Sequence, residues 1–196
     1  MLISLEGIDG SGKSTQAKLL ADELDDEPVL VREPGGTPAS ERIRELLADP
    51  GIPLDPHAEL LLFCAARAQL IGEVIRPSLD RGVTVICDRF SDSSIAYQGG
   101  ARGLGTDYVR RLCDATTGGV WPDLTLLLWL DPDEALTRMA GDDRFEGEGL
   151  EFQRRVAVAY REIAEQEPGR VRLIEAGGSV EHVHEAVMAE LRSVRP

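Results

Sequence analysis

Eight residues near the start of the chain, Gly7-Ile8-Asp9-Gly10-Ser11-Gly12-Lys13-Ser14, follow the pattern G-x-x-x-x-G-K-[ST]. That spacing carries a definite chemistry. Glycines let the backbone bend close around phosphate oxygens, and the start of the following helix favours an anion. Lys13 adds a point charge for the outer phosphates, and the Ser14 hydroxyl is a ligand for Mg2+. Gly7 through Thr15 are thus the expected triphosphate-binding stretch. Only two of the 21 basic residues are lysines, Lys13 and Lys18, and one of them occupies this position.

Four further clusters carry reactive or recognition chemistry. Asp88-Arg89-Phe90 ends an apolar run; an Asp there can hold Mg2+ through water, and an Arg can grip phosphate in its fork. As a bare fragment the two also read as an ordinary ion pair. Arg32-Glu33-Pro34-Gly35-Gly36-Thr37 ends another run. Phe63 and Arg67 stand four apart, on one helix face; taken singly, Phe63 reads as core and Arg67 as a solvated charge. The last cluster is Ser93-Ser94-Ile95-Ala96-Tyr97-Gln98-Gly99-Gly100-Ala101-Arg102.

Several nucleotide chemistries drop out. The chain has no N-K-x-D element, so it is no GTPase switch. It also lacks an LSGGQ signature and an apolar strand ending in an acidic pair, which speaks against transporter or motor ATPases. A nucleotide-binding regulator without turnover is disfavoured by the intact set Lys13, Ser14, Asp88 and Arg89. A small-molecule kinase remains.

Taken together the clusters resemble the thymidylate kinase family of bacterial type, from Leu2 to about Ala176. The resemblance implies a P-loop NTPase three-layer α/β fold with a five-stranded parallel sheet, helices on both faces and a short lid at about 138–149. It implies the reaction ATP + dTMP → ADP + dTDP with Mg2+ held by Ser14 and Asp88. The implied dTMP contacts are Phe63 stacked on thymine, Arg67 donating to O4 and Ser93 and Ser94 near N3. Asp9 accepts from the 3′-hydroxyl, Tyr97 disfavours a ribose hydroxyl, and Arg89 with the loop around Pro34 holds the 5′-phosphate. Lys13, Arg89, Arg144 and Arg138 are the implied catalytic charges. In one form of the family an arginine sits in the phosphate loop; here that position is Gly10, so Arg144, in Asp143-Arg144-Phe145-Glu146, takes the transition-state role with Arg138 as helper. The loop Ala176-Gly177-Gly178-Ser179 should flank adenine. Another nucleoside monophosphate or deoxynucleoside kinase on the same scaffold is the alternative, and a cytoplasmic homodimer is expected by analogy. The attacking phosphate has a second pKa of about 6, so no general base is needed. His57, His182 and His184 read as surface or helix-end residues.

The elements that must place these clusters are legible. Candidate strands are Leu2–Leu5, Val29–Arg32, Val83–Cys87, Leu124–Leu130 and Val171–Ile174. Helical patterns lie between them at about 13–24, 38–48, 57–79, 92–98, 106–117, 133–140, 150–166 and 180–193. This alternation predicts one α/β domain over 1–196, a parallel sheet covered on both faces, with ligands at the carboxyl ends of the strands. Thr37-Pro38, Asp55-Pro56 and Asp131-Pro132 read as helix caps followed by a first-turn proline. The apolar residues of 57–79 (Leu60, Leu61, Ile71, Val74, Ile75) fit either a dimer face or a buried helix.

The net charge of −14 argues against nucleic acid and anionic membranes as partners. The start of the chain lacks the pattern of a signal peptide, and the apolar runs are too short to span a bilayer. Cys64, Cys87 and Cys113, without a CxxC pair, read as reduced, buried thiols of a cytosolic protein.

Overall fold

In the computed structural model, which describes residues 1–138 and 148–194, five strands form one parallel sheet. They are β1 (Leu2–Glu6), β2 (Val29–Arg32), β3 (Val85–Asp88), β4 (Leu124–Trp129) and β5 (Val171–Glu175), in the order β2-β3-β1-β4-β5. β1 is buried along its whole length, as expected of a parallel strand covered on both faces. Alternation sends Ser4 and Glu6 toward one face. There Ser4 reaches Thr125, which bonds Asp92, and Glu6 meets Ser93 and Tyr160. Ile3 and Leu5 point to the opposite face, and α1 (Lys13–Glu23) packs on β1 and β3.

The remaining helices are α2 (Pro38–Ala48), α3 (Pro56–Leu70), α4 (Arg76–Asp80), α5 (Ser91–Ser94), α6 (Thr106–Thr117), α7 (Pro132–Arg138), α8 (Leu150–Gln166) and α9 (Val180–Val194). All three cap-then-proline signals hold. Thr37 Oγ1 accepts from Ser40 N at 3.2 Å, Asp55 Oδ1 from His57 N at 2.8 Å and Asp131 Oδ1 from Asp133 N at 2.8 Å. The side chain thereby satisfies an N–H that has no partner within its helix.

Two expected elements differ. The helix over 57–79 is three pieces, with a π-helical stretch Ile71–Ile75 between α3 and α4. Pro77 cannot donate and its ring crowds the preceding turn; the chain answers by widening, so Arg76 N bonds Ile71 O, five residues back. The helix over 92–98 is longer, with α5 running into a π-helical Ile95–Ala101. The strand expected from Val83 starts at Val85, because Val83 N is taken by Ser78 O in the preceding turn.

Leu60, Ile71 and Ile75 are fully buried, so most of that stripe belongs to the core and only Leu61, 53% exposed, faces out. In α9, Val183, Val187 and Leu191 pack inward, while Val180 and Val194 at its ends do not.

Candidate active site

The order β2-β3-β1 brings three strand ends side by side, and each delivers one cluster. β1 opens into the phosphate loop, β2 into Glu33-Pro34 (a cis peptide) and β3 into Asp88-Arg89. Glu33 N bonds Asp88 O at 2.9 Å, locking the last two together. A crevice of about 480 Å³ lies over these ends. Of the residues singled out above, Asp9, Gly10, Gly12, Lys13, Ser14 and Thr15 line it from the loop. Arg32, Glu33, Pro34, Phe63, Asp88, Arg89, Ser93, Ser94, Tyr97, Gln98 and Arg138 complete that set.

The loop is built on glycine. Gly10 has φ +78°, and a Cβ there would lie 2.8 Å from the Ala135 carbonyl oxygen of α7. An arginine at position 10 would be strained in backbone and crowded in space. Lys13 is buried; its Nζ donates to Ile8 O at 2.7 Å and to Ser11 Oγ at 3.4 Å. Burial and the neighbouring Arg89 pull its pKa down to about 8, against Asp9, Asp88 and Glu6. Ser14 Oγ donates to Asp88 Oδ2 at 2.5 Å, so a hydroxyl and a carboxylate face each other beside the loop.

Arg89 is the hub. Its φ of +70° is uncommon for a residue with a Cβ and occurs where the surroundings over-determine the backbone. Nη1 donates to Gly7 O (3.0 Å), Ser93 Oγ (3.1 Å) and Tyr160 OH (3.4 Å); Nη2 donates to Asp9 and to Tyr97 OH (3.2 Å). Asp9 also accepts from Tyr97 OH and Gln153 Nε2. Burial alone would raise the Asp9 pKa, but Arg89 and Lys13 outweigh it and hold the carboxyl low. Arg89 also lies 5.1 Å from the Tyr97 ring centre, a cation–π distance.

Phe63 is half-buried on the crevice wall. Arg67 corrects the single-residue reading: it is not a solvated charge but 1% exposed. Its Nε donates to Glu33 Oε2 at 2.7 Å, Nη2 to Phe90 O and Ser94 Oγ, and Nη1 to Cys113 Sγ. It sits directly behind Glu33 and Ser94, which line the crevice. Gly7, Ile8 and Ser11 likewise support the loop from behind. Arg138 pairs with Glu134 one turn back. Arg144 lies outside the described residues, as does most of the expected lid.

Sequence reasoning missed Glu6, Gln153 and Tyr160, and gave Glu33 no role of its own within its cluster. Glu6 is fully buried and accepts from Phe90 N (2.6 Å), Ser93 Oγ (2.6 Å) and Tyr160 OH (2.8 Å). Burial first, then Asp92, pushes its pKa up to about 7. A charged residue closing a buried strand was the available signal. His184 also departs from a plain surface reading, bonding Gln16 and Glu23 of α1 at 2.9 and 2.7 Å.

The thymidylate kinase family model matches residues 5–187. The chain belongs to the thymidylate kinase family. The thymidylate kinase of Kosmotoga olearia is 48% identical over 196 residues, covering 97% of this chain and 94% of that protein. That of Syntrophotalea carbinolica is 47% identical over 194 residues, covering 92% and 90%. The crystal structure of thymidylate kinase from Ehrlichia chaffeensis superposes with a TM-score of 0.82 at 38% identity, covering 98% of both chains. The chain thus shares with that neighbour an α/β fold, here a five-stranded parallel sheet with helices packed against it.

Proposed function

We propose that the chain transfers the γ-phosphoryl group of ATP to dTMP, giving ADP and dTDP. One observation carries this reading. A single crevice joins the phosphate loop to the Phe63–Tyr97 wall, with Arg89 bonded to both: to Gly7 and Asp9 on one side, Ser93 and Tyr97 on the other. A donor and an acceptor phosphate meeting there are positioned and neutralised together, which is most of what phosphoryl transfer requires.

In this reading Gly7 through Thr15 hold the phosphates of ATP, with Lys13 on the outer ones. Arg89 grips the acceptor phosphate; among the described residues its Nε makes no bond, which leaves that N–H for the ligand. Asp9 accepts from the 3′-hydroxyl. Tyr97, held by Asp9 and Arg89, fills the space a 2′-hydroxyl would need, and Pro34 borders the phosphate. Phe63 stacks on the base, a contact worth about 1–3 kcal/mol that is indifferent to base identity. Discrimination falls to the stretch of wall formed by Ser94 with the donor-only Arg67 bonded behind it, which suits a keto oxygen at position 4 and opposes an amino group. Ser93 and Ser94 complete the base pocket.

Ser14 Oγ and Asp88 Oδ2 fit Mg2+, a hard ion that keeps most of its water and takes phosphate oxygens. Among the described residues no cluster of three His, Cys, Asp or Glu could hold a metal alone, in keeping with an ion shared with the nucleotide. When bound, it would neutralise charge on the phosphates of the nucleotide. A cytoplasmic homodimer belongs to the same reading; the three free, buried cysteines are consistent with a reducing compartment.

Arg144, assisted by Arg138, supplies transition-state charge. Replacing Arg144 with Ala is expected to lower kcat by about 10²-fold or more while KM for dTMP changes little. An unchanged kcat in a coupled ADP-release assay contradicts the assignment.

A further inference from the structure

Glu6, at the end of β1, touches neither the crevice nor Arg89, yet its bonds run to two of the three groups that hold Nη1 of Arg89, the Ser93 and Tyr160 hydroxyls, the third being Gly7 O. Oε2 lies 2.6 Å from Ser93 Oγ and 2.8 Å from Tyr160 OH, and those two oxygens are 2.8 Å from each other. Arg89 Nη1 stands at 3.1 and 3.4 Å from the same pair. Oε1 accepts from the fixed Phe90 N–H at 2.6 Å.

The direction of these bonds follows from proton counting. A carboxylate only accepts, and an arginine only donates. The two hydroxyls own one proton each, and both are drawn into the triangle that ends on Oε2. Their lone pairs are then left for Arg89. We propose that Glu6 is a positioning residue for Arg89: acting through Ser93 and Tyr160, its carboxylate sets the polarity of the bonds that aim the guanidinium at the acceptor phosphate. The proposal rests on the reading of Arg89 as the grip on dTMP.

Glu6→Gln tests it with almost no change of shape. The amide oxygen must face Phe90 N–H, so the amide NH2 faces the hydroxyls. One hydroxyl proton is then displaced from the triangle toward Arg89, a donor meeting donors. KM for dTMP is expected to rise about tenfold or more, with KM for ATP nearly unchanged. Glu6→Asp, shorter but acceptor-only, is expected to be milder than Gln. A packing role predicts the reverse, since Gln is the better space-filler. In a background lacking both hydroxyls (Ser93→Ala with Tyr160→Phe), Glu6→Gln is expected to change KM for dTMP by less than about threefold.

A pH profile gives a second reading. The groups facing Glu6 are Asp92 and Tyr160, Arg89, Lys13, Glu33 and Cys87. Burial and Asp92 favour its neutral form, and Arg89 and the hydroxyls favour the charged form, which places its titration at about 7. Below that pH the wild type is expected to lose dTMP affinity and approach Glu6→Gln, whose profile lacks this limb.

Steady-state KM values for dTMP and ATP in these variants, with Arg89→Ala alongside, decide the matter. Arg89→Ala raising KM for dTMP while Glu6→Gln does not would overturn the relay alone. An Arg89→Ala enzyme with unchanged KM would overturn the underlying site reading instead. A Glu6→Gln effect of equal size with and without the hydroxyls, or an Asp variant worse than Gln, would also overturn the relay.

Discussion

Glu33 is 5% exposed and shares a 2.7 Å ion pair with Arg67, yet burial outweighs that partner and pushes its carboxyl from an ordinary 4.5 up to about 7. Between those values the folded chain binds a proton that the unfolded chain has released. Stability attributable to Glu33 is therefore greatest at low pH and declines as pH rises through about 7. Comparing the wild type with Glu33→Gln by urea unfolding, the wild type is expected to lose about 1–3 kcal/mol relative to the variant between pH 5 and pH 8. A difference independent of pH would contradict this. At this scale the sequence was partly legible. Lys13, Ser14, Asp88, Arg89 and Phe63 stand in the crevice where their motifs implied. Arg67 was legible only in company, since a lone arginine on a helix reads as solvated until Glu33 and Ser94 are seen to enclose it. Tyr160 was not legible and Glu6 only as a charge closing a buried strand, because their partners are 67 to 154 residues away.

The elements obeyed local rules wherever a rule was strong. Cap-plus-proline signals gave the starts of α2, α3 and α7, and the helix 150–166 is found at those bounds. The π-helical stretch Ile71–Ile75 had Pro77 as a local signal, but Ile95–Ala101 was hidden, because widening a turn there depends on what packs against it. Ile95–Ala101 lies against α8 so closely that a Cβ on Gly100 would meet the Cβ of Ala159 at 2.5 Å. This stretch carries Tyr97 and Gln98 into the crevice, so its packing and its function are linked. Gly100→Ala is expected to lower the unfolding free energy by about 1–3 kcal/mol and raise KM for dTMP. Unchanged stability in chemical denaturation would mean that α8 gives way freely. Gly10, at φ +78° and with the Ala135 carbonyl oxygen 2.8 Å from where a Cβ would stand, has no room for an arginine.

Over the whole molecule the charge of −14 is uneven. Residues 1–27 carry −5, residues 112–196 carry −8, and residues 28–111, which hold the acceptor clusters, carry only −1. The acceptor clusters thus stand in a nearly neutral stretch, and acidic charge more than about 10 Å away from them is largely screened. Parallel topology was readable from strand–helix alternation, and with it the side of the sheet on which ligands bind. The order β2-β3-β1 was not, since it arises from which strands pair in space. The central claim is that this crevice selects dTMP as phosphoryl acceptor. ADP release measured in parallel with dTMP, dUMP, UMP, CMP and no acceptor tests it most directly. The expected result is turnover with dTMP, at most weak turnover with UMP or CMP, and almost none without acceptor; kcat/KM for UMP or CMP equal to that for dTMP would contradict it.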